Sequence, residues 1–140
     1  MKEIKFLEKK NIEYIIVHCS DTDNSHSALD IHKLHLKFGW DGIGYHKIIT
    51  RTGKIEQGRP EYWRGAHVKG LNDKSLGVCL IGKSNFTHEQ FEALKEVLLY
   101  WKKKYPNTKV IGHRDTKLTN KTCPNFDVTS WYKKNLIQTI

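Results

Sequence analysis

Two histidines and one cysteine stand where a metal could use them. His18 closes an apolar run, His113 closes another, and Cys123 follows ten residues later beside Pro124. Imidazole nitrogen and thiolate sulfur are donors that zinc favours, and three such donors leave a fourth tetrahedral position open to water. That open position separates a catalytic zinc from a closed structural one, and water there is acidified toward a pKa of about 7. A thiolate donates more charge than a third imidazole. Acidification should therefore be weaker here, and helper groups correspondingly more useful.

Two helpers are within reach in sequence. Lys121 lies two residues before Cys123, and side chains at that spacing in an extended segment share a face. Its ammonium would stand over the water and over the oxyanion formed from the substrate. Tyr45 follows Gly42-Ile43-Gly44. Glycine permits close backbone approach there, and a phenol can orient water or donate to an oxyanion.

The elements that must position these groups are legible. Tyr14-Ile15-Ile16-Val17-His18 and Lys109-Val110-Ile111-Gly112-His113 read as buried strands that each deliver a histidine at the mouth of a sheet. Strand ends are where α/β proteins assemble sites. Alternation along a strand points Cys19 away from His18, so the pair should not share one metal. Ser27 to Asp30 has capping-box spacing with aspartate in the acidic position, and Ile31, Leu34, His35 and Phe38 recur at helical intervals up to Gly39. Residues 45–51 turn at Thr52-Gly53 into Lys54-Ile55-Glu56-Gln57, a hairpin pattern. Residues 57–74 read as a long irregular connection, of the kind that often binds substrate.

The run from Leu76 to Ile81 is wholly apolar and reads as a central strand. Thr87-His88-Glu89-Gln90 is a capping box opening a helix through Phe91, Leu94, Leu98 and Trp101, which Tyr105-Pro106 stops. Asp127 caps a short final helix carrying Trp131, Tyr132 and Leu136. Of the remaining histidines, His46 should face away from the cleft, His35 should pack or hydrogen-bond, and His26, His32 and His88 read as surface residues. Cys19 and Cys79 read as core.

At 140 residues the chain suits a single domain, residues 1–140, with one core. Three cysteines cannot all pair, which argues for a reducing compartment without a disulfide framework. Residues 1–10 alternate charged and apolar types and offer no signal-peptide core, and nothing reads as a membrane span. The net charge of +9 would draw the protein to anionic surfaces. Much of it lies in Lys9-Lys10, Lys102-Lys103-Lys104 and Lys133-Lys134, and no nucleic-acid-binding motif accompanies it.

Four segments in order carry a resemblance. Ile16-Val17-His18-Cys19-Ser20, Gly44-Tyr45-His46, residues 75–82 and Cys123-Pro124-Asn125-Phe126-Asp127 resemble the zinc-dependent N-acetylmuramoyl-L-alanine amidases. Peptidoglycan recognition proteins share that domain, and the matching motifs span Tyr14 to Trp131. The resemblance implies a mixed central sheet flanked by helices and one zinc ion held by His18, His113 and Cys123. It also implies catalytic roles for Tyr45 and Lys121. Hydrolysis of the amide between N-acetylmuramate and L-alanine follows from it, as does a substrate-binding role for His67 and Asn72. The lack of a signal-peptide core fits a phage or prophage endolysin, expected to be a monomer, made in the cytoplasm and acting on the wall after release; a bacterial enzyme exported by another route would look the same. Binding-only members of the family have typically lost the cysteine ligand, which this chain keeps. One phage member also inhibits its phage's RNA polymerase, a second activity to which no motif here points. Arg114-Asp115 after the second histidine and a longer segment before Cys123 depart from the pattern, so the loop carrying Lys121 is expected to sit differently.

Overall fold

The computed structural model describes residues 5–119 and 121–137, with the side chain of Ile137 outside that description. The sequence reading of residues 1–4 and of Asn120 therefore lies outside the described residues. Five strands form one mixed sheet: β1 Tyr14–Cys19, β2 Lys47–Ile49, β3 Ile55–Gln57, β4 Ser75–Leu80 and β5 Lys109–Gly112. Their spatial order is β3-β2-β4-β1-β5. β1 is parallel to both β4 and β5, β2 is parallel to β4, and β3 is antiparallel to β2. Every residue of β4 is buried. A strand covered on both faces has no solvated side on which polar residues could alternate, hence its continuous apolar run.

Among the described residues three α-helices cover the sheet: α1 Ala28–Lys37, α2 His88–Lys104 and α3 Val128–Tyr132, the last continued by a wider turn over Lys133–Ile137. At the start of α1 the Asp30 carboxylate accepts the Ser27 N–H at 2.8 Å. At the start of α2, Thr87 Oγ1 accepts the Gln90 N–H at 3.0 Å while Gln90 Oε1 accepts the Thr87 N–H at 3.0 Å. Both boxes satisfy amides that helix geometry leaves without partners. Asp127 likewise accepts the Ser130 N–H at 3.1 Å.

Alternation sorts the strands between two cores. Ile15 and Val17 of β1 and Leu76, Val78 and Leu80 of β4 join Leu94, Val97, Leu98 and the fully buried Trp101 of α2. Cys79 and Ile81 face the other way, with Ile31 of α1, Ile43 and Ile48. His18 belongs to this second face by the same period of two. The α2 face thus supplies most of the burial, at about 1.5–3 kcal/mol per large side chain, and leaves the α1 face to carry polar groups.

The hairpin of residues 45–57 forms as expected, with Gly53 at φ +87° in its turn, but β2 begins only at Lys47. The connection from 57 to 74 is irregular, as its composition predicts, and it is fastened to the amino-terminal segment. Leu7 N–H donates to Tyr62 O at 2.8 Å and Arg64 N–H to Lys5 O at 2.9 Å. Among the described residues no helix is long and apolar enough to cross a membrane.

Candidate metal centre

His18 stands one residue from the end of β1, and His113 opens a 3-10 turn, His113–Thr116, directly after β5. β1 and β5 are parallel neighbours, with Val17 opposite Gly112, so their next residues emerge side by side. The two imidazole centroids are 4.6 Å apart. Cys123 arrives from the loop before α3, and one donor atom each from His18, His113 and Cys123 lie within 4.8 Å of one another. Tetrahedral zinc with bonds of about 2.0 Å to nitrogen and 2.3 Å to sulfur needs its donors roughly 3.3–3.6 Å apart. Small side-chain rotations close that difference, and the donor set is the nitrogen and sulfur chemistry zinc takes. These residues fit the metal.

The sulfur is held by backbone. Cys19 N–H donates to Cys123 Sγ at 2.9 Å, and Arg114 N–H donates to Cys123 O at 2.8 Å, tying the cysteine loop to the ends of both histidine-bearing strands. Cys19 is buried, as expected of a core residue, yet it also lines the cleft beside His18.

Tyr45 reaches the site from the other side. Its ring centroid lies 5.0 Å from that of His18. Two histidines of α1 anchor the segment before it: His35 Nδ1 accepts the Gly44 N–H at 2.9 Å and His32 Nδ1 accepts the Ile43 N–H at 3.0 Å. His35 does bond as expected. His32 is a correction, because it is half-buried and engaged where the sequence suggested a free surface residue. A periodicity reading sees only that position 32 lies off the apolar stripe of the helix. Backbone amides folding back from the loop after the helix leave no mark in that pattern.

Lys121 is exposed but lines the same cleft of about 420 Å³, together with Trp40, Ala66, His67, Thr122 and Asn125. The segment carrying it runs directly into the turn at residues 122–125. It closes with Asn125 N–H donating to Thr122 O at 2.8 Å and Asn125 in a left-handed conformation at φ +68°. Lys121 and Cys123 face one cavity. Asn125 and the half-exposed Trp40 were not singled out by sequence as lining residues. Asparagine's tolerance of positive φ, directly after Pro124, is the one local signal that could have marked the turn.

His67 is half-buried against the same site. Its Nδ1 lies 2.8 Å from His18 Nε2 and its Nε2 3.2 Å from Ser75 Oγ. Asn72 Oδ1 accepts the N–H groups of His67 and Val68, each at 3.0 Å. Asn72 also lines a second cavity of about 660 Å³, with Arg59, Trp63, Arg64 and Gly65. His46 is fully buried on this face, with both ring nitrogens occupied: Nδ1 accepts the Gly77 N–H at 3.1 Å and Nε2 bonds Trp63 O at 2.8 Å.

Burial sets the electrostatics. It holds His18 well below the ordinary imidazole value, assisted by its neighbours His67 and His113. The His113 pKa is lowered by burial and by the Lys121 cation. Contact with the Cys19 thiol, then burial, pushes the Cys123 thiol up, and burial pushes the Tyr45 phenol up. Neutral imidazoles are ready donors, whereas the thiol must lose a proton to become one.

Comparison with known proteins supplies a family. The family model described as N-acetylmuramoyl-L-alanine amidase matches residues 8–126. The chain is 36% identical to the endolysin of Escherichia phage T7 over 99% of this chain and 97% of that one. It is 37% identical to the endolysin of Enterobacteria phage T3 with the same coverage. Among solved structures, the N-acetylmuramoyl-L-alanine amidase LysC from Clostridium intestinale superposes with a TM-score of 0.85 at 29% identity. That match covers 97% of this chain and 91% of LysC.

Proposed function

This chain belongs to the N-acetylmuramoyl-L-alanine amidase family and is an amidase of that kind, and from that premise we propose that its cleft works with one zinc ion as a phage or prophage endolysin. The bond cut is the amide between the lactyl group of N-acetylmuramate and L-alanine in bacterial peptidoglycan. The observation that carries the zinc reading is the convergence of His18, His113 and Cys123 donor atoms within 4.8 Å. Retention of Cys123 also favours hydrolysis over a binding-only role.

His18, His113 and Cys123 would hold the metal. When bound, zinc supplies Lewis-acid chemistry, polarising the scissile carbonyl and making water a nucleophile near neutral pH. Tyr45, half-buried and with its phenol held protonated, orients the attacking water and donates a hydrogen bond to the developing oxyanion. Lys121, on the solvent side of the cleft, offsets the negative charge that accumulates on the carbonyl oxygen. His67 lines the cleft and Asn72 the 660 Å³ cavity, where Lys5, Arg59, Arg64 and Trp63 outweigh the one carboxylate, Asp41, and suit an acidic stem peptide.

Mass spectrometry of purified muropeptides, incubated with zinc-loaded and chelator-treated protein, tests the proposal. Separate glycan and L-alanine-terminated peptide are expected with zinc alone. Intact muropeptides beside a folded, zinc-loaded protein would overturn it.

A further inference from the structure

We propose that His67 is a positioning residue for the metal. Through a line of hydrogen bonds from Leu71 to His18, it selects the His18 tautomer that carries its proton on Nε2 and offers Nδ1 as the donor. The proposal rests on the zinc reading of the site and adds a group outside the ligand set.

The argument starts at a group with no freedom. The carbonyl of Leu71 can only accept, so Ser75 Oγ–H donates to it at 2.7 Å. Ser75 has a single hydroxyl proton. Its 3.2 Å contact with His67 Nε2 therefore requires His67 to donate from that nitrogen. A neutral imidazole has one N–H, which leaves His67 Nδ1 bare. His18 Nε2 lies 2.8 Å from that bare nitrogen, so His18 is the donor. Neutral His18 then has its free lone pair on Nδ1.

The opposite arrangement would disable the ligand. With His67 donating from Nδ1, His18 would accept at Nε2 and carry its proton on Nδ1, the nitrogen the metal needs. Ser75 and Leu71 disfavour it, since their contact with His67 Nε2 would lose its donor. Two neutral rings satisfy every donor along the line without a second proton.

The ring is also seated by shape. A Cβ on Gly77 would stand 2.7 Å from His67 Nδ1, and one on Gly65 would stand 2.5 Å from its Cδ2. Two glycines thus form a slot that any larger residue would fill. The two amides received by Asn72 Oδ1 fix the backbone at the same point. Groups that hold the distal nitrogen of a metal-binding histidine tune both its tautomer and its basicity, and their loss costs about 10- to 100-fold in metal affinity.

Two measurements test this on the whole chain. Long-range nitrogen-15 NMR of the chelator-treated protein reads the His18 tautomer directly, and competition against a chromophoric chelator reads zinc affinity. The Nε2–H form is expected for His18. His67→Leu should weaken zinc binding about 10- to 100-fold. His67→Asn, whose Oδ1 replaces the accepting Nδ1, should recover most of the loss, a rescue that a merely space-filling role would not produce. An Nδ1–H signal at His18, or wild-type zinc affinity in His67→Leu, overturns the proposal. Should His67→Leu fail to fold, the wild-type spectrum still decides. A wild-type protein that takes up no zinc would overturn the metal reading instead, with the tautomer remaining readable.

Discussion

The backbone N–H of Cys19 donates to Cys123 Sγ at 2.9 Å, a bond between residues 104 apart in sequence. The last residue of β1 thereby holds the sulfur, while the residue before it supplies an imidazole. One strand end sets both the position of His18 and the reach of Cys123. An N–H aimed at sulfur also stabilises the thiolate that a metal requires.

Replacing the sulfur should empty the site. A serine hydroxyl keeps its proton near neutral pH and is a poor zinc donor. Cys123→Ser should therefore lose zinc affinity by more than the roughly 100-fold that removal of a supporting group costs, and amidase activity with it. Metal analysis of the purified variant alongside muropeptide digestion checks this. Retention of both would remove Cys123 from the ligand set.

Lys121 makes a separable contribution. It lines the cleft without belonging to the donor cluster. Lys121→Ala should leave zinc stoichiometry unchanged and lower kcat by about 10²–10³, the usual effect of removing one oxyanion-stabilising group. A wild-type kcat would make the ammonium a solvated surface cation.

Proton release on zinc uptake should be single. In the folded protein His18 and His113 are held below the ordinary imidazole value, so at pH 7 both are already neutral. Cys123 is pushed above the ordinary thiol value, so its proton is present and must leave. Zinc affinity should accordingly rise about tenfold per pH unit between roughly pH 6 and 8, with about one proton released per ion. Calorimetry in buffers of different ionisation enthalpy counts that proton. A release of two or more would mean that the histidines are charged.

Acid should loosen the fold through His46. Burial holds it down to about 4, against 6.5 for the free group. Below 6.5 the unfolded chain takes up a proton that the folded state refuses, so stability falls as pH drops from 6.5 toward 4. The full shift corresponds to about 3 kcal/mol, of which about 2 kcal/mol should be lost by pH 5. Urea unfolding of chelator-treated protein at pH 7 and pH 5 should show a loss of at least that size, since burial lowers His18, His35 and His67 in the same direction. Equal stabilities would mean that His46 is charged in the fold.

Gly44 should tolerate no side chain. A Cβ there would stand 2.2 Å from the carbonyl oxygen of Ala66, which is backbone and cannot rotate away. Gly44→Ala should cost about 1–3 kcal/mol of stability, the usual effect of overpacking, and should slow turnover by moving Tyr45. Thermal unfolding and kcat together test this, and wild-type values for both would disprove the close approach.

Sequence by itself determined the parts whose signals are local. The capping boxes at Ser27 and Thr87, the apolar run of β4 and the stop before Pro106 are each written within a few residues, and all appear in the fold. His18 and His113 were legible as strand-end groups for the same reason. Tertiary structure decided what depends on meeting. The pairing of β1 with β5 brings the two imidazoles together, and the loop before α3 brings Lys121 and Cys123 to the same cavity. His32 and His35 were given partners by a loop that only folding delivers. The line from Leu71 through Ser75 and His67 to His18 joins the connection before β4 to the end of β1. No periodicity encodes it, because hydrogen-bond direction is a property of donors and acceptors in space rather than of spacing along a chain.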